Sequence, residues 1–363
     1  MIVSEPNAGA DTPERIDTAF MQRYLRERLG LALQVLEVRP FPRGVSRETW
    51  MIECVDAEGT RQDLALRRDM PSGSICLASL RFEYEVYSRL ANTAVPVAAT
   101  LAWEDDPRWA PQGRPFFLRR AVAGSWEIPH LHDPDPRYDE LRIAAGREHI
   151  RALARLHTLD WRALGFGDFM RVPATAADCA LTVIDDVLAD IASVRTQPLP
   201  LVTEAAEWLR DHRPREVAAI ALLKGTNGYG EEVFCDGRLV AMSDWELARI
   251  GDPAYDWAQI QDFVRDVVVE GRLVWGLGPA LDYYRELTGY EVDPASIDYY
   301  RRLYGLYLVL AGESAAAKLA QGDRNCRVAW LAAELLHRGL CALGMAIGIG
   351  RAAEAVPGQL GVQ

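Results

Sequence analysis

The stretch from Leu222 to Ala258, LLKGTNGYGEEVFCDGRLVAMSDWELARIGDPAYDWA, constrains the fold of this chain more than any other. Glu232 to Cys235 and Arg238 to Ser243 read as strands, and the Asp236-Gly237 pair between them tolerates the positive φ angles of a two-residue turn. A hairpin of this kind holds its two ends side by side. A glycine-punctuated loop (Gly225, Gly228, Gly230) precedes it, and Asp244-Trp245-Glu246 and Gly251-Asp252-Pro253 follow it. Polar groups from two separate segments are thereby presented to one ligand.

Composition narrows the class of protein. With 363 residues, 49% apolar and 25% charged, the chain is long enough for two core-forming units and has the balance of an ordinary soluble protein. The net charge of −12 disfavours nucleic acid and anionic membrane as partners, because both require a basic face. Six cysteines (Cys54, Cys76, Cys179, Cys235, Cys326, Cys341) are scattered without a C-x-x-C pair, and no secretory leader is recognisable in the polar N-terminus; a reducing cytoplasm is the expected location. The apolar run Gly339 to Gly350 is too short and too rich in glycine to span a bilayer, so it reads as part of a packed helix.

Along the chain, helical spacing over Asp17 to Leu29 is followed by strand-like pieces at Leu33 to Pro40, Thr49 to Asp56 and Asp63 to Arg68, which predict an antiparallel sheet. A helix is predicted from Leu77 to Ala91, and a last strand with its linker from Pro115 to Gly124. Beyond Ser125 the pattern is mostly helical: Leu141 to Leu159, Val183 to Thr196, Leu201 to His212, then Tyr255 to Val269, Gly278 to Thr288, Pro294 to Gly312 and Val328 to Ile347. The pairs Tyr283-Tyr284 and Tyr299-Tyr300 read first as packing residues, with one of them a candidate lining for a substrate pocket.

The segment DWELARIGDPAYDWA, with the hairpin before it, resembles the catalytic core of the aminoglycoside phosphotransferase family, in its choline-kinase-like, acyl-CoA-dehydrogenase-associated branch. The resemblance implies an α+β, protein-kinase-like two-lobe fold. Residues 1–122 would form a small antiparallel-sheet lobe, and residues 123–363 a mostly helical lobe carrying the catalytic segment 222–258. It also implies phosphoryl transfer from ATP or GTP, with Mg²⁺, to a small hydroxylated molecule. The loop itself departs from the family. Where the family carries His-Gly-Asp, four residues and then Asn, this chain carries Lys224-Gly225-Thr226 and, at the Asn position, Glu231.

Residue by residue, the resemblance places Gly44 and Ser46 in the loop laid over nucleotide phosphates, although a plain hairpin loop accounts for that stretch equally well. Arg67 falls at the phosphate-binding Lys of kinases, with Glu83 as its expected ion-pair partner; the plainer alternative is that both are surface charges. Arg119 and Val122 fall in the strand and linker that meet the base, with Arg119 where the family usually has Met. His157, in Leu-His-x-x-Asp, is expected to be structural, and Asp252 and Asp256 to support the loop. Asp244 is the expected principal metal ligand, with a helix N-cap as its plainer role, and Glu231 the second ligand through a hard oxygen.

Thr226 stands where the family's catalytic carboxylate belongs, and a threonine hydroxyl is no general base near neutral pH. Lys224 brings a cation that could pair with Asp256 or Glu231, or meet an anionic group on a ligand. Glu231 or Glu232 could take over as base if the glycine-rich loop folds differently. Three readings follow: a phosphotransferase with an altered catalytic loop acting through Arg67, Glu231 and Asp244, a kinase-like protein that holds a nucleotide or small molecule without transferring phosphate, and a different reaction on the same scaffold.

Overall fold

The computed structural model describes residues 15–41, 46–228 and 230–349. The chain divides into two compact units, one comprising 1–74, 79–91 and 98–123, the other 75–78, 92–97 and 124–363. Gly44 lies outside the described residues.

The first unit is built on an antiparallel five-stranded sheet in the order β1-β2-β3-β5-β4. Its strands are β1 (Gln34–Phe41), β2 (Arg47–Val55), β3 (Leu64–Asp69), β4 (Thr100–Glu104) and β5 (Phe116–Arg120). Helix α1 (Thr18–Arg23), capped by the Asp17 side chain, continues through a wider turn at Tyr24–Arg28. This segment buries Phe20, Met21, Tyr24 and Leu25 with Ile52, Cys54, Leu64, Leu66, Phe116 and Leu118 of the sheet. Because side chains alternate along a strand, Arg67 and Phe117 point to the opposite face. There helix α2 (Leu80–Leu90) packs Tyr84 and Tyr87 on Phe117, with ring centroids 5.9 Å apart in both pairs.

The second unit is mostly helical: α3 (Asp139–His157), α4 (Cys179–Val194), α5 (Pro200–Asp211), α6 (Ala254–Trp257), α7 (Leu277–Thr288), α8 (Pro294–Ala320) and α9 (Cys326–Ala346). Three two-stranded antiparallel ribbons interrupt the helices: β6 (Ala221–Leu223) with β9 (Arg249–Gly251), β7 (Glu232–Cys235) with β8 (Arg238–Met242), and β10 (Val267–Val269) with β11 (Arg272–Trp275). The β7–β8 turn has φ of +49° at Asp236 and +75° at Gly237, as its sequence predicts.

The single helix expected from Tyr255 to Val269 is corrected. Helix α6 stops at Trp257, a short 3₁₀ turn follows at Gln261–Phe263, and Val267–Val269 is a strand. The β-branched run Val267-Val268-Val269 favours extended backbone, and Glu270 and Gly271, with φ of +52° and +76°, turn it into a hairpin with β11. Strand β4 and the β6–β9 pair were not foreseen either. Both ribbon strands are only three residues long, too short to show a period.

Helices α8 and α9 lie in close contact through glycine. A Cβ on Gly312 would meet the backbone nitrogen of Leu336 at 2.5 Å, and one on Gly339 the backbone nitrogen of Val309 at 2.7 Å. Helix α9 is long and apolar enough, by length and composition, to cross a membrane; here its Val328, Gly339 and Leu343 are buried, while Trp330 and Met345 are exposed. Because the added side chain would run into the Leu336 backbone, which cannot swing aside, Gly312→Val is expected to lower the stability of the protein by about 1–3 kcal/mol in chemical denaturation. Gly278→Ala, where a Cβ meets nothing within 4 Å, should stay within about 0.5 kcal/mol of wild type. Equal midpoints for the two variants would show that α8 and α9 separate without cost.

Candidate active site

Strand β6 is wholly buried, and the chain leaves it at Lys224 without reaching the surface. The Asp256 carboxylate receives it. The backbone N–H of Lys224 donates to Asp256 Oδ2 at 2.8 Å and that of Gly225 to Oδ1 at 3.0 Å. Helix α6 offers that carboxylate from behind, where His157 Nε2 lies 3.1 Å from Oδ2 and His157 Nδ1 lies 2.8 Å from the Tyr284 hydroxyl. Burial works against the Asp256 charge, yet His157 and the two N–H groups hold the carboxyl below the usual carboxylate range. Gly225, with φ +87°, leaves no room for a Cβ, which would collide with the Leu247 carbonyl.

The second segment lies against the first. The Thr226 hydroxyl donates to the backbone carbonyl of Asp244 at 3.0 Å, and the Ser243 hydroxyl to that of Glu231. Asp244 ends the β8 segment with φ +66°, a conformation short polar residues tolerate better than most. It is therefore a bend residue of its loop, with no helix after it to cap.

Lys224 carries the charge of the site. Its ammonium is fully buried and lies 2.8 Å from Glu231 Oε2 and 3.2 Å from Glu232 Oε1, and it donates to the Thr226 carbonyl. Burial opposes that charge, but Glu231, Glu232 and Asp244 hold the amine protonated and raise its affinity for the proton. Burial likewise pushes both glutamates up against the pull of Lys224. Glu232 is buried in strand β7, whereas the Glu231 side chain stays 25% exposed. Of the two, Glu231 is the carboxylate that solvent and ligands can reach. Among the described residues no group of three or more His, Cys, Asp and Glu converges to hold a metal ion. Of the two Glu231 oxygens, Oε2 is the one that the Lys224 ammonium takes.

Two polar side chains beneath this cluster escaped the sequence reading. His149 of α3 and Asn227 are both fully buried and lie near one another, and among the described residues no other hydrogen-bond partner meets His149's ring nitrogens or Asn227's amide atoms. His149 stacks on Phe263 at 4.2 Å, and burial, aided by the nearby Lys224 charge, lowers its pKa to about 3. In sequence it is one histidine in an amphipathic helix, which carries no signal of its depth.

In the first unit Arg67 and Glu83 meet, with Nε 3.0 Å from Oε2. Arg47, at the start of β2, was missed; its fully buried guanidinium approaches the same Oε2 to 3.1 Å. Only the strand alternation of Arg47 and Thr49, both buried, could have revealed it. Arg119 lies over the face of Tyr87, 5.4 Å from its centroid, while Ser46 and Val122 are half-buried at the start of β2 and beyond β5.

Residues 37–225 match the model of the phosphotransferase enzyme family, APH. Acyl-CoA dehydrogenase family member 10 of Mus musculus is 26% identical over 244 residues, which are 66% of this chain and 21% of that protein. The chain spans between 21% and 33% of the length of the curated relatives it matches. Among solved structures, a Ralstonia eutropha protein assigned to the aminoglycoside phosphotransferases is 21% identical with a TM-score of 0.66, covering 92% of this chain and 99% of that one. The aminoglycoside phosphotransferase APH(2'')-IIa, in a ternary complex with streptomycin and ATP, is 14% identical with a TM-score of 0.53, covering 82% and 90%. The fold is thus the protein-kinase-like one, with an antiparallel-sheet lobe and a helical lobe.

The buried neutral imidazole generates a pH prediction. The unfolded chain binds a proton at His149 below about pH 6.5 and the folded one only near pH 3, so its contribution to stability is intact above 6.5 and falls by about 1.4 kcal/mol per unit on acidification below it. His149→Phe, which keeps a ring on Phe263, is expected to remove that part of the slope in urea denaturation between pH 6.5 and 4.5. Parallel pH profiles for the two proteins would refute it.

Proposed function

The chain belongs to the phosphotransferase enzyme family, and from that premise we propose that it transfers a phosphoryl group from ATP or GTP to a small hydroxylated molecule, with Glu231 as the carboxylate that receives the hydroxyl proton. The observation that carries this reading is the position of Glu231. It is the carboxylate of the loop that remains partly exposed, and it is anchored by Lys224 at 2.8 Å. Thr226 cannot serve, since its hydroxyl is committed to the Asp244 carbonyl.

In this reading the acceptor oxygen forms its bond to the γ-phosphorus while the bond to the bridging oxygen breaks. The nucleoside diphosphate leaves, and the acceptor proton passes to Glu231. Arg67, fixed by Glu83, is the cation the first unit offers to phosphate oxygens. Asp244 would be the residue that meets a divalent ion arriving with the nucleotide. A second reading, a kinase-like protein that holds its ligand without transferring phosphate, is favoured by one observation: no carboxylate occupies position 226.

Calorimetry of ATP and GTP on the folded protein, followed by turnover against a panel of alcohols and amino alcohols, tests both. Glu231→Gln is expected to lower turnover by about 10²–10⁴-fold while leaving nucleotide affinity nearly unchanged. Equal turnover in the variant would remove Glu231 from the chemistry, absence of nucleotide binding would defeat the phosphotransferase reading, and tight binding without turnover in either protein would favour the second.

A further inference from the structure

Oxygen atoms from three residues surround Nζ of Lys224. Glu231 Oε2 lies at 2.8 Å, Glu232 Oε1 at 3.2 Å and Thr226 Oγ1 at 3.5 Å, and the Thr226 carbonyl accepts a hydrogen bond from the ammonium. Two carboxylates, a carbonyl and a hydroxyl are the donor set of a hard divalent cation. Here a side chain fills it. The enclosure is tight: the ammonium has no exposure, Glu232 is buried behind it, and Glu231 folds back so far that a Cβ on Gly228 would lie 3.1 Å from its Oε1.

We propose that the Lys224 ammonium is a resident cation, tethered by its own backbone in the loop's cation position, so that this chain takes no divalent ion on Glu231 and Glu232. A divalent ion entering the cage would have to displace an amine that cannot dissociate from the chain. Two other carboxylates lie nearby. Asp256 is bound by His157 and two backbone N–H groups, and Asp244 faces the cluster across the Thr226 hydrogen bond, adding to the negative potential that keeps the amine in place. Lys224 is thus a positioning residue, setting the direction of the exposed edge of Glu231 without itself reaching a ligand.

The test is Mn²⁺ binding without nucleotide, followed by the electron paramagnetic resonance of the free ion. Wild type and Glu231→Gln are expected to titrate identically. Lys224→Ala empties the cage and is expected to gain one site at least about tenfold tighter than any in wild type, which Glu232→Gln added to it abolishes. A merely structural lysine would not yield a metal site on removal. The proposal is overturned if Glu231→Gln weakens Mn²⁺ binding by the wild-type background, or if folded Lys224→Ala binds no more tightly than wild type. Should Lys224→Ala fail to fold, the comparison of wild type with Glu231→Gln decides, identical titrations supporting the proposal and a weakened one sinking it. Loss of the phosphotransferase reading would appear as absent nucleotide binding and leave these titrations unchanged.

Discussion

The loop exists in its observed form because one buried carboxylate takes hold of it. Asp256 accepts the backbone N–H groups of Lys224 and Gly225, and its remaining demand is met by His157, itself held by Tyr284. A buried charge with fewer partners would protonate or draw in water; with these it stays ionised and fixes where the chain turns. Everything downstream of β6 inherits that turn. Gly225 can then pass beneath the Leu247 carbonyl, Thr226 reaches the Asp244 carbonyl, and Lys224 is delivered to the interior beside Glu231 and Glu232.

Delivering a lysine to the interior changes the electrostatics of the whole segment. Uncompensated, an ammonium at zero exposure is very costly, and the two glutamates are what make the burial tenable. The same charge reaches His149 and helps keep that imidazole neutral. The pair formed in the first unit follows the same rule with signs reversed: Glu83 is fully buried and is met by two guanidiniums, Arg47 and Arg67, rather than by one. In both units, then, the ionic groups nearest the expected chemistry are arranged around a single buried charge with more than one partner.

Much of this architecture is legible from local pattern. The β7–β8 hairpin announces itself through Asp236-Gly237, the sheet of the first unit through three alternating runs, and α7, α8 and α9 through apolar spacing. Where the reading failed, the local signal was short or contradictory. Tyr255 to Val269 has apolar residues at helical intervals, but Pro253 starts a helix of only four residues and the valine run prefers a strand, so hairpin pairing with Arg272–Trp275 wins. The β6–β9 pair offers three residues on each side, and its partners are separated by the whole hairpin between them.

For the candidate site, sequence alone determined which residues are present and which familiar ones are replaced: Thr226 for a carboxylate, Glu231 for an amide, Lys224 for an imidazole. It also determined that the two segments around the hairpin meet, because a two-residue turn admits little else. It left open whether Lys224 would pair with Asp256 or with Glu231, and which glutamate would face solvent. The tertiary structure decided both. Asp256 binds the backbone of Lys224 and not its amine, the amine turns to Glu231 and Glu232, and the strand position of Glu232 buries it while Glu231, one residue earlier, stays at the edge. The physical reason is that ion pairing depends on distance and burial, which are properties of where strands, helices and loops come to rest, whereas the sequence specifies only the charges available to be paired.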